Sequence, residues 1–453
     1  MATAPIRPAA PVPPAGWPSG AERLLRPWRL FNTIALYPAE VYERPIVERR
    51  FGGRPHFLVN DPEGVGRVLQ ANQPNYVKAP KVRRMLTPLL GHSVITADGE
   101  EWQRQRRAIA PAFRAANVAG FVPMFAAEAA LWAERWERFA AAGRPVDMAD
   151  EMQLLTLRLI GRTMFGADMA GLDAVLAGAR RYLTAAGLVE MLIGAGLPEG
   201  AGPPLNRRFA RWAGRPLRRL VAGLLEGEPQ GLLGLLMRSR ASEPGRPAMS
   251  AREVEDLVAT VLMAGHATTA MTLCFLWYLL ALAPAVRARV EAELVEVVED
   301  GAPGPAALER LAYCRMVVEE TLRLYPVIPA IGHEALAADR VCGMAIPAGA
   351  RVTVSPWLVQ RHRRLWAEPE LFDPERFTPE RREAIPRFAY IPFGGGPRVC
   401  VGASFAISEM LTVLAVLGRR FAPRLPPGSA VEVVARGHLQ PRGGLPMLIE
   451  RRG

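Results

Sequence analysis

The run Phe393-Gly394-Gly395-Gly396-Pro397-Arg398-Val399-Cys400-Val401-Gly402 places a cysteine just ahead of a helical pattern, Ala403 to Leu417. A helix N-terminus offers free backbone N–H groups and positive partial charge, and both favour a thiolate. The glycines let the backbone turn tightly and approach a flat partner closely. A thiolate held in this way can serve as an axial ligand to haem iron, pushing electron density toward bound dioxygen. The competing reading is an inert buried cysteine beside a glycine-rich turn. A phosphate-loop reading of Gly394-Gly395-Gly396 fails because no Lys-Ser/Thr follows.

Three other constellations carry possible chemistry. An apolar helical run contains Ala264-Gly265-His266-Ala267-Thr268-Thr269. Threonine hydroxyls there can bond preceding carbonyls and bend the helix, and with Gly265 they allow a local opening. Glu320-Thr321-Leu322-Arg323 puts opposite charges three residues apart on one helix face; if buried, the pair must be fully compensated. Trp102 and Arg106 stand four apart, so an indole N–H and a guanidinium can reach one anion. Each has an ordinary alternative: a helical hydroxyl, a surface ion pair, an aromatic–cation pair.

Taken together, these stretches resemble the cytochrome P-450 family. Phe393, Gly396, Arg398, Cys400 and Gly402 match its haem-ligand loop, Phe-x-x-Gly-x-Arg-x-Cys-x-Gly, position by position. Trp102-x-x-x-Arg106, the threonine helix, Glu320-x-x-Arg323 and Pro374-Glu375-Arg376-Phe377 follow in the family's order. The resemblance implies Cys400 as metal ligand and haem b (iron protoporphyrin IX) as cofactor. It implies Phe393 packed beside the sulfur, Gly402 letting its helix lie against the porphyrin, and Arg398, Trp102 and Arg106 on the propionates. It gives Thr268 the task of guiding a proton to dioxygen, in a groove shaped by Gly265 and Thr269. Glu320, Arg323 and Arg376 are expected to form a structural lock behind the haem.

Two positions depart from the family pattern. Ala267 stands where a carboxylate is usual, which puts the proton supply in question; neighbouring His266 points another way on the helix. His333 stands where an arginine usually meets a propionate, so either haem affinity depends on the histidine's charge and hence on pH, or another donor substitutes.

The elements that must position these residues are mostly helical. The fold expected from the resemblance is mainly α with a small β-rich portion, the haem lying between the central long helix and the cysteine-ligand helix. Ser250-Ala251-Arg252-Glu253 is a capping box, so the central helix should begin there and stop before Pro284. From Leu257 to Leu282 it is long and apolar enough to span a membrane, but His266 and four threonines interrupt it, and a core helix is the preferred reading. Other helices are expected over Glu100 to Phe113 and Pro305 to Leu324, and strands over Arg340 to Ile346 and Arg351 to Pro356. Residues 1–20, rich in proline and alanine, read as a disordered or extended leader without signal or anchor pattern; residues 21–453 read as a single haem domain.

Half of the 453 residues are hydrophobic and the net charge is +12. The cations are scattered in pairs such as Arg207-Arg208 and Arg218-Arg219, without the compact block of a nucleic-acid binder. They read as solvated helix faces or as a docking face for an acidic electron donor. Arg361 to Arg364 reads as a solvated or interdomain segment rather than a metal site. The four cysteines show no disulfide or zinc spacing, which fits a reducing cytoplasm. The function expected is monooxygenation of a small lipophilic molecule by a soluble enzyme. A separate ferredoxin or flavodoxin-type donor would supply the electrons, with no nucleic acid and no membrane anchor involved. Alternatives are a peroxide-using or redox-neutral haem-thiolate enzyme, and a haem sensor or carrier without turnover. Substrate contacts are expected from Lys78 to Ile95, Leu183 to Leu205, Val327 to Ile331 and Leu439 to Gly443.

Overall fold

The computed structural model describes residues 6–17, 32–51, 54–166, 172–194, 200, 202–226, 231, 234, 249–298 and 302–452. The longer helices are α1 (Pro80–Leu90), α2 (Gly99–Ile109), α3 (Val122–Ala142), α4 (Met148–Phe165), α5 (Leu172–Gly194), α6 (Gly202–Ala213), α7 (Arg215–Glu226), α8 (Ala251–Leu282), α9 (Pro284–Val297), α10 (Ala312–Leu324) and α11 (Ala403–Arg420). The strands are β1 (Ile46–Phe51), β2 (Arg54–Val59), β3 (Tyr76–Lys78), β4 (Val146–Asp147), β5 (Ile331–Ala335), β6 (Asp339–Val341), β7 (Met344–Ile346), β8 (Arg351–Val354), β9 (Val433–Ala435), β10 (Leu439–Pro441) and β11 (Pro446–Met447).

The central helix is α8. The Ser250 hydroxyl accepts from the Glu253 N–H at 3.2 Å while the Glu253 carboxylate accepts from the Ser250 N–H at 2.8 Å, which is the capping box read from the sequence. Proline at the first position of α9 then ends α8 at a sharp boundary. Between those ends α8 packs against α4, α7, α10 and α11. Its apolar face is locked by ring contacts: Phe275 stacks on Tyr325 at 4.2 Å and Trp277 meets Trp136 edge-on at 5.6 Å. A helix apolar all round is thus a core element here. Among the described residues two helices are long and apolar enough to cross a membrane, Ala115–Ala142 and Ala251–Leu282, and the second is mostly buried inside the protein.

The main sheet runs β1-β2-β8-β5-β3, with β2 and β8 parallel and the other pairs antiparallel. Its register sets Lys78 of β3 opposite His333 of β5. Asp339 ties the sheet edge to the preceding turn, accepting from Arg67, Asn72 and Tyr76 at 2.7–3.2 Å.

Three expectations need revision. The single helix over Pro305 to Leu324 is two, broken at Leu311. The Glu293 carboxylate, from α9, accepts the Tyr313 and Cys314 N–H groups at 2.7 Å and so caps a fresh start. The Arg361 to Arg364 segment is not solvated at its front: Arg361 is buried, lies 3.5 Å over the Trp357 ring and pairs with Glu370 at 3.2 Å. Residues 6–17, within the expected disordered or extended leader, are held on the protein. The Tyr325 hydroxyl donates to the Ala9 carbonyl at 2.8 Å, and the Ala9 N–H donates to the Tyr278 hydroxyl at 3.1 Å. An extended proline-rich strand keeps its carbonyls free, and two tyrosines from the core use one residue of it.

Candidate active site

The cysteine loop precedes α11. The Cys400 N–H donates to the Phe393 carbonyl at 2.9 Å, closing the loop on itself. Gly396 adopts φ 63°, and a Cβ there would lie 1.9 Å from the Leu69 carbonyl oxygen, so only glycine fits. Gly402 caps α11, and its N–H bonds toward the Cys400 sulfur. The Cys400 side chain is exposed, and the Gly402 N–H and the Arg106 guanidinium favour its thiolate, while the protein around it raises the pKa of the thiol overall. A bound metal ion displaces such a proton outright.

Around this loop gathers a cationic cluster. The Arg398 guanidinium lies 4.4 Å over the Trp102 ring and donates to Asp98 at 2.6 Å and to the Ala97 carbonyl at 3.1 Å. Its Nε is buried without a partner. Arg106 is half-buried and close enough to Cys400 for each to shift the other's titration. Lys78 hydrogen-bonds Asp98 through its N–H, and burial with nearby Arg398 lowers its ammonium to about 8. Trp102, Arg106 and Arg398, picked out by spacing, are therefore brought together beside Cys400. Lys78 was missed as a charge. Its signal lay in the sheet, one strand over from His333.

His333 corrects a second expectation. It is buried, its Nδ1 lies 3.3 Å from the Tyr76 carbonyl, and its Nε2 has no partner. Burial and Lys78 hold its pKa down to about 3, so it stays neutral at ordinary pH and cannot act as the pH-dependent cation. Three cations set against one acid, with an Arg398 Nε that has no hydrogen-bond partner among the described residues, form a donor set suited to carboxylates of an anionic planar group. With Arg106 near Cys400 and Arg398 in the same loop, the donor set fits a haem and its propionates.

On α8 the helix continues unbroken through the threonines rather than opening. Thr268 and Thr269 donate to the carbonyls of Ala264 and Gly265 at 2.8 and 3.1 Å. Gly265 serves close packing: a Cβ there would meet Ile160 Cδ1 of α4 at 2.1 Å. Ala264, Ala267 and Thr268 are half-exposed on a helix otherwise mostly buried. His266 faces inward, with Nδ1 2.8 Å from the Leu262 carbonyl and its own carbonyl accepting from Thr156. Burial lowers it to about 4, leaving it neutral.

The sequence reading also missed Glu409, one acid in an apolar stretch of α11. It is 1% exposed, neither carboxyl oxygen has a hydrogen-bond partner among the described residues, and burial drives its pKa well above the carboxylate range. The Thr269 hydroxyl lies close enough to oppose that shift in part. Since Thr269 donates its proton to Gly265, a protonated Glu409 can donate to the Thr269 oxygen.

Behind the loop the lock is complete. Glu320 and Arg323 are fully buried, joined at 2.6 and 2.8 Å, with Arg376 at 3.4 Å and the Asp373 N–H at 2.9 Å on the same carboxylate. Arg323 also reaches the carbonyls of Gln360, Pro369 and Leu371. Gln360 in turn bonds the α10 carbonyls of Leu322 and Arg323 and accepts from the Ile391 N–H, coupling the lock to the strand entering the cysteine loop. The expected substrate segments converge in part. The Leu439 N–H donates to the Val327 carbonyl, and α1 is tied to α5 by Arg84–Glu190 at 2.9 Å and to α6 by Asn206. Residues 195–199 and 201 of the expected Leu183 to Leu205 contact lie outside the described residues.

A thiol loop, a cationic cradle and a threonine helix define a haem-thiolate oxygenase site. A sequence model described as Cytochrome P450 matches residues 18–183 and 222–445, so the chain belongs to the cytochrome P450 family. Cyclooctatin synthase of Streptomyces melanosporofaciens is 33% identical, the match covering 93% of this chain and 91% of that protein. Cyclooctat-9-en-7-ol 5-monooxygenase of the same organism is also 33% identical, over 90% of this chain and 88% of that protein. Protein LUTEIN DEFICIENT 5, chloroplastic, of Arabidopsis thaliana is 29% identical over 92% of this chain. The protein is a cytochrome P450 monooxygenase, with a haem-thiolate cofactor, a lipophilic substrate and a separate redox partner.

Proposed function

We propose that this chain binds haem b through Cys400 and inserts one atom of dioxygen into an apolar or amphipathic small molecule, reducing the other atom to water with two electrons and two protons. A soluble ferredoxin or flavodoxin-type donor in the cytoplasm supplies the electrons. The substrate class includes cyclic alkenols like the one named for the 33%-identical monooxygenase. When bound, haem supplies the dioxygen binding and O–O cleavage favoured by a thiolate ligand.

The residues divide the remaining work. Arg106, Arg398, Trp102 and Lys78 would hold the propionates, while His333, whose single proton on Nδ1 faces the Tyr76 carbonyl, brings no donor and no charge to them. Phe393, Gly396 and Gly402 keep the loop narrow and aim Cys400 Sγ. Thr268 Oγ1, half-exposed beside Ala264 and Ala267, would relay a proton, while Gly265 holds α8 close to α4 and Thr269 faces Glu409. Ala267 cannot hold a proton, and Glu409 carries one on its carboxyl, next to Thr269 Oγ1. That carboxyl favours dioxygen-driven turnover over the peroxide-using alternative, whose support is the missing acid at Ala267.

The observation that carries the reading is the Cys400 sulfur with the Gly402 N–H on it and Arg106 nearby, in a loop whose Arg398 lies over Trp102. The reduced, carbon-monoxide-treated protein should show the red-shifted absorption of a thiolate-ligated haem, and Cys400→His should lose it while keeping porphyrin. A wild-type protein that is folded and haem-loaded but lacks that band would overturn the assignment. Turnover with peroxide but none with dioxygen and a surrogate reductase would transfer it to the alternative.

A further inference from the structure

The turn between β9 and β10 carries a histidine that the chemistry above leaves idle. Arg436, Gly437 and His438 join the two strands, with Leu439 paired opposite Ala435. Gly437 takes φ 87°, and the Arg436 N–H donates to the His438 carbonyl at 3.1 Å, which closes the turn. Arg436 and Gly437 are exposed, while His438 is half-buried. The Leu439 N–H donates to the Val327 carbonyl at 2.8 Å, so the turn is held against the segment that leads into β5. Val327 and Leu439 are both buried, which makes the immediate surroundings apolar.

His438 also lies near His266 of α8, near enough for a charge on one ring to oppose a charge on the other. Burial, and after it His266 and Arg180, hold His438 down to about 4, so it is neutral at ordinary pH, as His266 is. Neither His438 ring nitrogen has a hydrogen-bond partner among the described residues. His266 Nδ1 is committed to the Leu262 carbonyl at 2.8 Å, so its Nε2 is an acceptor, and no described residue bonds it. Polar atoms left dry in this way cost free energy until a partner reaches them.

The chemistry of that partner follows from the groups present. Arg180 opposes a cation. A carboxylate gains no charge from neutral imidazoles, and Arg180 already donates to Asp150 and Gln153 at 3.5 and 3.3 Å. A hydrocarbon leaves the nitrogens unsatisfied. A hydroxyl both donates and accepts, which suits a neutral imidazole in either tautomer. We infer that His438 is a specificity-determining residue that hydrogen-bonds a hydroxyl already present on the substrate, beside the His266 acceptor. This rests on the monooxygenase reading above and narrows its substrates to neutral alcohols. The reaction that supplies such a substrate must put oxygen on a hydrocarbon, by hydroxylation or by capture of water, and the product of this chain carries two hydroxyls.

The test titrates the full haem-loaded chain with matched pairs: cyclooctane and cyclooctanol, cyclododecane and cyclododecanol, farnesene and farnesol. Binding is read as the spin-state change of the haem, which needs no turnover. Each alcohol that binds should do so at least about fivefold more tightly than its hydrocarbon. His438→Phe should erase that preference, and His438→Gln or His438→Asn should restore part of it. If the phenylalanine variant loses haem, His438→Leu takes its place. The inference is overturned if the hydrocarbons bind as well as their alcohols, if the apolar variant keeps the preference, or if no alcohol binds. Tighter binding of cyclododecanecarboxylate than of cyclododecanol overturns it too, since an anion would then be the group recognised. So does an alcohol that coordinates the iron, seen as a deepened low-spin spectrum. None of these outcomes alters the carbon-monoxide band that tests Cys400, so the two readings fail separately.

Discussion

Glu409 is the residue with the most at stake. Its neutral form is what the apolar interior around α11 tolerates, and on ionisation the Thr269 hydroxyl offsets only part of the desolvation. Because its folded pKa is raised above the usual carboxylate value, the folded protein binds the proton more tightly than the unfolded chain. Its stability contribution therefore declines as pH rises above about 4.3. Glu409→Gln should remove that decline: chemical denaturation should show the variant gaining on wild type between about pH 5 and pH 8. In turnover with dioxygen, the same variant should convert fewer consumed electrons to product by several-fold, read as product per reduced cofactor used. Unchanged coupling would remove Glu409 from the proton route.

Lys78 decides a different pH effect. Its ammonium, lowered to about 8, is lost above that pH in the haem-free protein, and an anion bound nearby favours its charged form. Haem binding then takes up a proton, so retention of haem should weaken as pH rises through about 8. Lys78→Met should flatten that dependence and cost about 1.5–3 kcal/mol of affinity, measured as the rate of haem transfer to an acceptor apoprotein. Neither residue was legible in the sequence. The Cys400 loop and Trp102-x-x-x-Arg106 are local spacings. Lys78 acquires meaning from a strand pairing with His333, and Glu409 from a threonine on a helix far away in the chain.

At the scale of elements, α8 and α4 approach closely at Gly265. Gly265→Ala should force Ile160 aside, an overpacking cost of about 1–3 kcal/mol. The colliding atom is the end of a flexible side chain, which favours the lower value. Ile160→Val removes that methyl and should recover most of the loss, a non-additivity visible in a double-mutant cycle of thermal or denaturant unfolding. If the alanine variant is as stable as wild type, the packing role of Gly265 falls. The start and end of α8 could be read from Ser250, Glu253 and Pro284 because capping is chemistry between near neighbours. The break at Leu311 could not, since Glu293 supplies the new cap from another helix. The unbroken course of α8 was also hidden: threonines that back-bond do not by themselves say whether a helix opens.

Across the whole molecule, the family's order of motifs made the architecture readable from end to end. The buried polar framework that holds the parts together was only partly so. The Glu320–Arg323–Arg376 lock was anticipated; its Gln360 link to the cysteine loop was not. The strap of residues 6–17 was missed because proline and alanine carry no periodicity, and its anchorage depends on Tyr278 and Tyr325. Tyr325→Phe should cost about 1–3 kcal/mol, and removing residues 1–17 should cost a similar amount. Combining the two should add little, because both delete the same hydrogen bond; thermal unfolding of the single and combined variants checks this.

Those two tyrosines belong to α8 and to the segment just after α10, the helices that carry Thr268 and the Glu320–Arg323 pair. Whatever is fused ahead of Ile6 therefore hangs from the same braces that keep the pigment seated. A purification tag or trimmed start would be expected to change how much red protein a culture yields before it changes any catalytic constant.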